Sequence, residues 1–257
     1  MIKRGIISQL LSGFDLSTIS DLYCWLDAGQ ESFSNGNTVA TATDRSGNGN
    51  DFTGTLATYV TSQIGGKPAY RLTSNQAYLS GPKADWNFLH ESPNSVYMVL
   101  TTGNIGLNEH STNYYTSTSP GPFNRGVQSE FFYNNTLAEY QLRHTVSNGG
   151  FSGWDVVNVI QAISNAENST HLLGTRSILE DTTSPTFKAT FKGSEVATQD
   201  RQNAPTAGDS STDLIIGSTI NGDDSVDYLA EFIVYDRYLT DAENTQVIDY
   251  LTDKYGL

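Results

Sequence analysis

Residues 228–257 read YLAEFIVYDRYLTDAENTQVIDYLTDKYGL. A short apolar strand, Phe232, Ile233, Val234 and Tyr235, passes through Asp236-Arg237 into a helix that runs to the last residues. Thr240 followed three residues later by Glu243 has the form of a capping box, which satisfies backbone N–H groups left without partners in a first helical turn. Val247, Ile248, Leu251 and Tyr255 then recur at helical spacing, and Gly256 suits the left-handed residue at which helices stop. One strand and one short helix therefore close the sequence together.

Working back from that segment, most of the sequence is a series of short strand-like runs separated by Gly, Asn, Asp, Ser or Pro. The pattern predicts strands over 22–27, 69–71, 77–79, 95–101, 130–133, 139–146, 154–163, 170–178, 186–192, 194–198, 214–218 and 230–236. In 186–192, Phe187, Ala189 and Phe191 fall on one face by period-2 alternation. Lys192-Gly193-Ser194-Glu195 separates two such runs and predicts a tight hairpin. Residues 111–126 and 203–212 read as the most loop-like parts. Many short strands with turn signals between them indicate an all-β sandwich or barrel, and the absence of a 20–50-residue repeat argues against propellers and solenoids.

The 257 residues suffice for one large all-β domain. Only 16% are charged, and 28 acidic against 14 basic side chains give a formal charge of −14, a field that repels nucleic-acid phosphates. Cys24 is the single cysteine, so no intrachain disulfide can form, and its apolar setting (Leu22-Tyr23-Cys24-Trp25-Leu26) reads as a buried small hydrophobe. No stretch is long enough to span a membrane as a helix. Near the N-terminus, Lys3 and Arg4 precede an apolar run that Gln9 interrupts, with Asp15 soon after and no small-x-small cleavage pattern. Residues 1–19 read as an arm or extension ahead of a domain over 20–257. Ile6, Ile7, Leu10, Leu11 and Phe14, with Ile2, would share one face of a short helix or docking arm. Such a face either meets a partner or covers the domain's own core.

Three segments carry a family resemblance. The first joins the strand Trp25-Leu26-Asp27-Ala28 to the turn Asp44-Arg45-Ser46-Gly47-Asn48-Gly49-Asn50-Asp51. The second comprises the runs at 95–101, 171–176 and 187–196. The third is Ala230-Glu231-Phe232-Ile233-Val234-Tyr235-Asp236-Arg237-Tyr238-Leu239-Thr240-Asp241-Ala242-Glu243. Over residues 20–257 the sequence resembles the concanavalin A-like superfamily, in its laminin-G-like jelly-roll form. The resemblance implies two antiparallel sheets packed face to face with a short C-terminal helix. That fold carries lectins, glycan-binding modules, glycosidases and structural virion proteins, so it leaves function to the sites.

Glycoside hydrolysis needs two carboxylates flanking the scissile bond, and glucanases of the related fold place them in a Glu-x-Asp-x-x-Glu run. None is present: Glu139 stands alone, and Glu231 is followed by Phe232, Ile233 and Val234. The four histidines, His90, His110, His144 and His171, occupy unrelated contexts, and there is neither a Gly-x-Ser-x-Gly elbow nor a zinc-type cluster. Glu231, beside a core strand, reads as a structural anchor that needs a partner, with Arg237 or a backbone N–H as candidates. Calcium takes oxygen ligands, and Asp44, Asn48, Asn50 and Asp51 put four such side chains around a glycine-rich loop. The same residues are also the chemistry of a tight turn. Asn221, Asp223, Asp224 and Asp227 form a second acidic loop. Among 14 Tyr and 3 Trp, the candidates for stacking on sugar rings are Trp86, Tyr114, Tyr115 and Trp154.

The sequence therefore predicts a non-enzymatic β-sandwich with no cofactor, calcium being the candidate ion. The expected role is at a virion surface: a phage capsid decoration, head-fibre or tail-associated adhesion protein. Its partners would be a capsid or tail protein or a second copy of itself in a homo-oligomer, and host surface glycans. The alternative is a carbohydrate-binding, lectin-like module at a cell surface, and a glycoside hydrolase stands third.

Overall fold

A computed structural model describes residues 14–73, 76–103, 110–115, 125–134, 139–148, 161–163, 169–178, 186–191, 194–200, 212–217 and 226–257. The expected sandwich forms, as two antiparallel eight-stranded sheets among these residues. The first sheet runs in the order Ser194–Asp200, Thr186–Phe191, Thr170–Ser177, Asn94–Thr102, Val226–Tyr235, Lys67–Arg71, Thr58–Ile64. The opening strand Leu22–Asp27 pairs with the far end of the closing strand Val226–Tyr235. The second sheet runs Gln161–Ile163, Glu139–Asn148, Arg125–Asn134, His110–Tyr115, Leu214–Gly217, Tyr78–Gly81, Phe52–Thr55, Thr41–Ala42.

Alternation along the two central strands divides the apolar residues into two layers. Val96, Met98, Leu100, Phe232 and Val234 face the space between the sheets, with Phe52, Leu79 and Leu214 from the other side. Tyr97, Val99, Ile233 and Tyr235 point the opposite way, under the C-terminal helix Asp241–Tyr255. That helix supplies Val247, Ile248, Leu251 and Tyr255, the four positions its sequence spacing indicates. A strand covered on both faces loses the polar alternation of a half-solvated one, which is why Asn94–Thr102 is buried at all but one position.

The helix begins on the expected capping box: Thr240 Oγ1 accepts from Glu243 N, and the Glu243 carboxylate accepts from Thr240 N. It ends on Gly256 at φ 70°, where a side chain would be strained. The strands on either side of the predicted hairpin, Thr186–Phe191 and Ser194–Asp200, pair antiparallel with Phe191 opposite Ser194.

Several strands carry no apolar signature. Thr41–Ala42, Phe52–Thr55 and Thr58–Ile64 are strands outside the predicted set. His110–Tyr115 is a strand where 111–126 reads as loop. Its residues Ser, Thr, Asn and Tyr suit a pleated surface without alternating in polarity, and its place is set by pairing with Arg125–Asn134 and Leu214–Gly217. No helix among the described residues is long and apolar enough to cross a membrane.

Candidate functional site

The opening strand starts with an irregularity: its register against the closing strand shifts between Leu22 and Cys24. A shift of this kind leaves backbone carbonyls outside the ladder, and they need donors from elsewhere. The turn at 44–51 provides them. Asn48 Nδ2 donates to the carbonyls of Leu22 (2.7 Å) and Tyr23 (3.1 Å), and Asn50 Nδ2 donates to Tyr23 (2.7 Å). The turn is itself tied around Asp44. Its Oδ1 accepts from the amides of Trp25 and Ser46, both at 2.9 Å. Its Oδ2 accepts from Ser46 Oγ at 2.7 Å and Asn50 N at 2.9 Å. Asp51 Oδ1 accepts from Asp44 N at 2.8 Å. Gly47 and Gly49 take φ of 90° and 79°, a region only glycine enters at little cost.

Of the two roles open to Asp44, Asn48, Asn50 and Asp51, the geometry is that of the turn. Four N–H and O–H donors already occupy the Asp44 carboxylate, whereas Ca²⁺ takes 6–8 oxygens of its own. Among the described residues no three His, Cys, Asp or Glu side chains converge as a metal set.

Beside this turn lies an open cleft of about 580 Å³. One wall is Ser17, Ile19, Ser20 and Asp21; the other is Ser46, Asn48 and Asn50. Leu22, Tyr23 and Asp236 complete the lining. Asp21 has φ 62°, unusual for a residue with a side chain, and two contacts hold it there. Its carbonyl accepts from Asp236 N at 3.0 Å, and its Oδ2 accepts from Ser20 Oγ at 2.9 Å. Arg237 Nε lies 3.1 Å from the same oxygen, while the guanidinium's outer nitrogens grip Glu243 at 2.6 and 3.0 Å. Partial burial, and then the adjacent Asp21, hold the Asp236 carboxyl above the usual carboxylate range. The half-buried Tyr23 ring packs on Trp86 and Phe88 at centroid distances of 5.3 and 4.6 Å, and its hydroxyl donates to the Asp85 carbonyl. Burial, with Asp85 and Asp236 next, pushes its phenol up to about 12, so it stays neutral. The cleft is therefore lined by amide-, hydroxyl- and carboxylate-bearing residues from three separate segments.

The sequence-predicted sugar-stacking residues are not gathered here. Trp86 is 1% exposed, enclosed by Tyr23, Phe52, Phe88 and Phe232, and has no face to offer a ligand. Gly81 leaves the space its indole fills. Tyr114 and Tyr115 sit on a strand of the second sheet, paired with Ile216 and Ile215. Trp154 lies outside the described residues, as do Ile6, Ile7, Leu10 and Leu11 of the arm and Asn221, Asp223 and Asp224 of the second acidic loop. Asp227 is in the closing strand, its carbonyl accepting from Leu72 N. Phe14 packs against Tyr250 of the C-terminal helix, and Leu16 and Ile19 are buried in the layer beneath that helix. From Phe14 onward, the N-terminal segment covers the domain's own core. Cys24 is buried, with its thiol raised well above the usual range by desolvation first.

Glu231 is fully buried and finds a partner other than Arg237. Its Oε1 accepts from Trp25 Nε1 (2.7 Å) and Tyr250 OH (3.0 Å), and its Oε2 from Lys254 Nζ (2.7 Å) and Tyr255 OH (2.8 Å). Asp27, opposite Glu231 in the strand register, shares the same ammonium at 2.7 Å. Tyr250 and Lys254 are four apart on the helix, so the spacing that marks its apolar face also marks this polar spot. The lining residues Ser17, Ser20, Asp21 and Tyr23 carry no motif, and the positive φ of Asp21 has no sequence signature.

No protein-family model matches this sequence, and no curated protein sequence does. Solved structures match its fold. Domain 4 of AbnA, an extracellular arabinanase from Geobacillus stearothermophilus solved with arabinotriose, is 14% identical at a TM-score of 0.60, over 89% of this chain and 98% of that one. The binding domain of Paraclostridial Mosquitocidal Protein 1 is 12% identical at 0.62, over 92% of this chain and 53% of that one. Trypanosoma rangeli sialidase with the inhibitor DANA is 11% identical at 0.58, over 88% of this chain and 32% of that one. At these identities the likeness is one of fold.

Proposed function

We propose that this chain is a glycan-binding β-sandwich domain of the concanavalin A-like, laminin-G-like kind, acting in adhesion without catalysis of its own. The observation that carries the reading is the cleft at 17–23, 46–50 and Asp236. It is an open, polar site whose walls carry hydroxyl, amide and carboxylate groups, the chemistry that bonds hydroxyl-rich ligands. Further support comes from the fold match that spans nearly the whole of a domain solved with a bound oligosaccharide. The non-catalytic part rests on the acids. Asp27 and Glu231 are sealed beneath the helix around Lys254, at 2% and 0% exposure, and Asp21 is engaged by Ser20 and Arg237. A virion surface, the setting the sequence suggests, and a cell surface would use the cleft in the same way.

The test is a glycan array probed with the chain, with and without EDTA, followed by titration of the best ligand. Binding of at least one glycan class is expected. Ser20→Trp, which fills the cleft from an exposed position, should weaken it tenfold or more with an unchanged melting temperature. Silence in both arrays overturns the binding reading, and release of new reducing ends from a bound glycan overturns the non-enzymatic part.

A further inference from the structure

Most of the side-chain donors around the cleft are already engaged. The Nδ2 groups of Asn48 and Asn50 are turned to the carbonyls of Leu22 and Tyr23. The Ser46 hydroxyl is directed to Asp44 Oδ2 and the Tyr23 carbonyl, and the Ser20 hydroxyl to Asp21. Ser17 N donates to Asp15 Oδ1, and the Tyr23 hydroxyl to the Asp85 carbonyl. None of the lining residues is basic. The neighbouring guanidinium, Arg237, is clamped to Glu243 and contacts Asp21 and the Ser20 carbonyl. Acceptors remain, and two of them belong to carboxylates, Asp21 and Asp236. Two carboxylates and no basic side chain on the lining make it a surface that favours ligands bringing donors.

From this we infer that the cleft takes an uncharged or amino-bearing glycan and rejects sialylated and uronate-bearing ones. The inference rests on the glycan-binding reading and adds the class of sugar. Sugar hydroxyls can donate to the remaining acceptors, and an ammonium donates and also compensates charge. A ligand carboxylate can only accept, and would stand as a third negative charge beside Asp21 and Asp236. Asp21 already works against the ionisation of Asp236, after the effect of burial, and the chain as a whole carries −14. The charge pattern therefore acts as the excluding element, with hydrogen bonding supplying attraction.

The experiment titrates the whole chain with matched ligands: a neutral N-acetyllactosamine glycan and its sialylated form, and chitotriose and its deacetylated form. The neutral and amino forms should bind, and the sialylated form should bind at least about fivefold more weakly, as expected for one unit charge about 4 Å away in water. Asp236→Asn should recover about that factor for the sialylated ligand. A sialylated ligand that binds as well as its neutral parent overturns the inference and leaves the glycan-binding reading standing. So does an Asp236→Asn chain with an unchanged ratio between the two. Failure of every ligand here and on the full array overturns both.

Discussion

A carboxylate cut off from water keeps its charge only if its oxygens are filled with donors, and Glu231 has four: an ammonium, two phenols and an indole N–H. Burial pushes its carboxyl above the usual range, and Lys254 opposes that shift most strongly. The ammonium also serves Asp27, so removing it leaves two buried carboxylates uncompensated. Lys254→Met should lower unfolding stability by about 3–5 kcal/mol at neutral pH, read by urea denaturation. The sign of the pH effect follows from the raised carboxyl. Its contribution to stability is present below 4.5 and is lost as pH rises through the folded-state value, so the deficit of the variant should narrow on acidification toward pH 4. A deficit that widens there would show that Glu231 is not the group left unpaired. The need of Glu231 for a partner is readable in the sequence, since a carboxylate beside Phe232-Ile233-Val234 has to be buried. Its partner is not, because Arg237 is nearer along the chain and Lys254 nearer in space.

At the scale of the element, the C-terminal helix is specified from both ends and along one face. The Glu243 carboxylate closes the capping box and grips Arg237, and the Arg237 hydrogen bond is the main reason it is held at about 2. A lowered carboxyl contributes stability above its ordinary value of 4.5 and loses it as pH falls from there to about 2. The melting temperature should therefore decline over that window. In Glu243→Gln, which lacks the titrating group, the decline should be shallower, starting from a neutral-pH stability lower by about 1 kcal/mol. Thermal scans at pH 5, 4, 3 and 2.5 on both proteins check it, and parallel curves would reject the assignment. The far end of the helix is fitted to the sheet: a side chain at Gly65, in the turn between Thr58–Ile64 and Lys67–Arg71, would collide with the Tyr255 carbonyl. The cap, the stop and the buried positions are all visible in the sequence because they rest on spacings of three and four residues within one segment.

For the whole molecule, the helix is a third layer on the sandwich. Ending the chain at Leu239 would expose Tyr97, Val99, Ile233 and Tyr235 on the outer face of the first sheet. The truncated chain should bind a hydrophobic dye and aggregate at concentrations where the full chain stays monodisperse, as light scattering would report. A folded, soluble truncate would show that the sandwich stands without its cover. The sequence by itself determined the sandwich, the turn at 44–51, the closing strand and the capped helix, because periods of 2 and 3.6 and turn chemistry are written over short distances. Only the tertiary structure decided that polar His110–Tyr115 is a strand, that Trp86 is enclosed by rings from distant segments, and that Lys254 answers Glu231. The cleft is likewise assembled from distant stretches, Asn50 and Asp236 being 186 positions apart. A surface made from three stretches of chain has no period, so its acceptor-rich, acidic character exists only once the sheets have brought those stretches together.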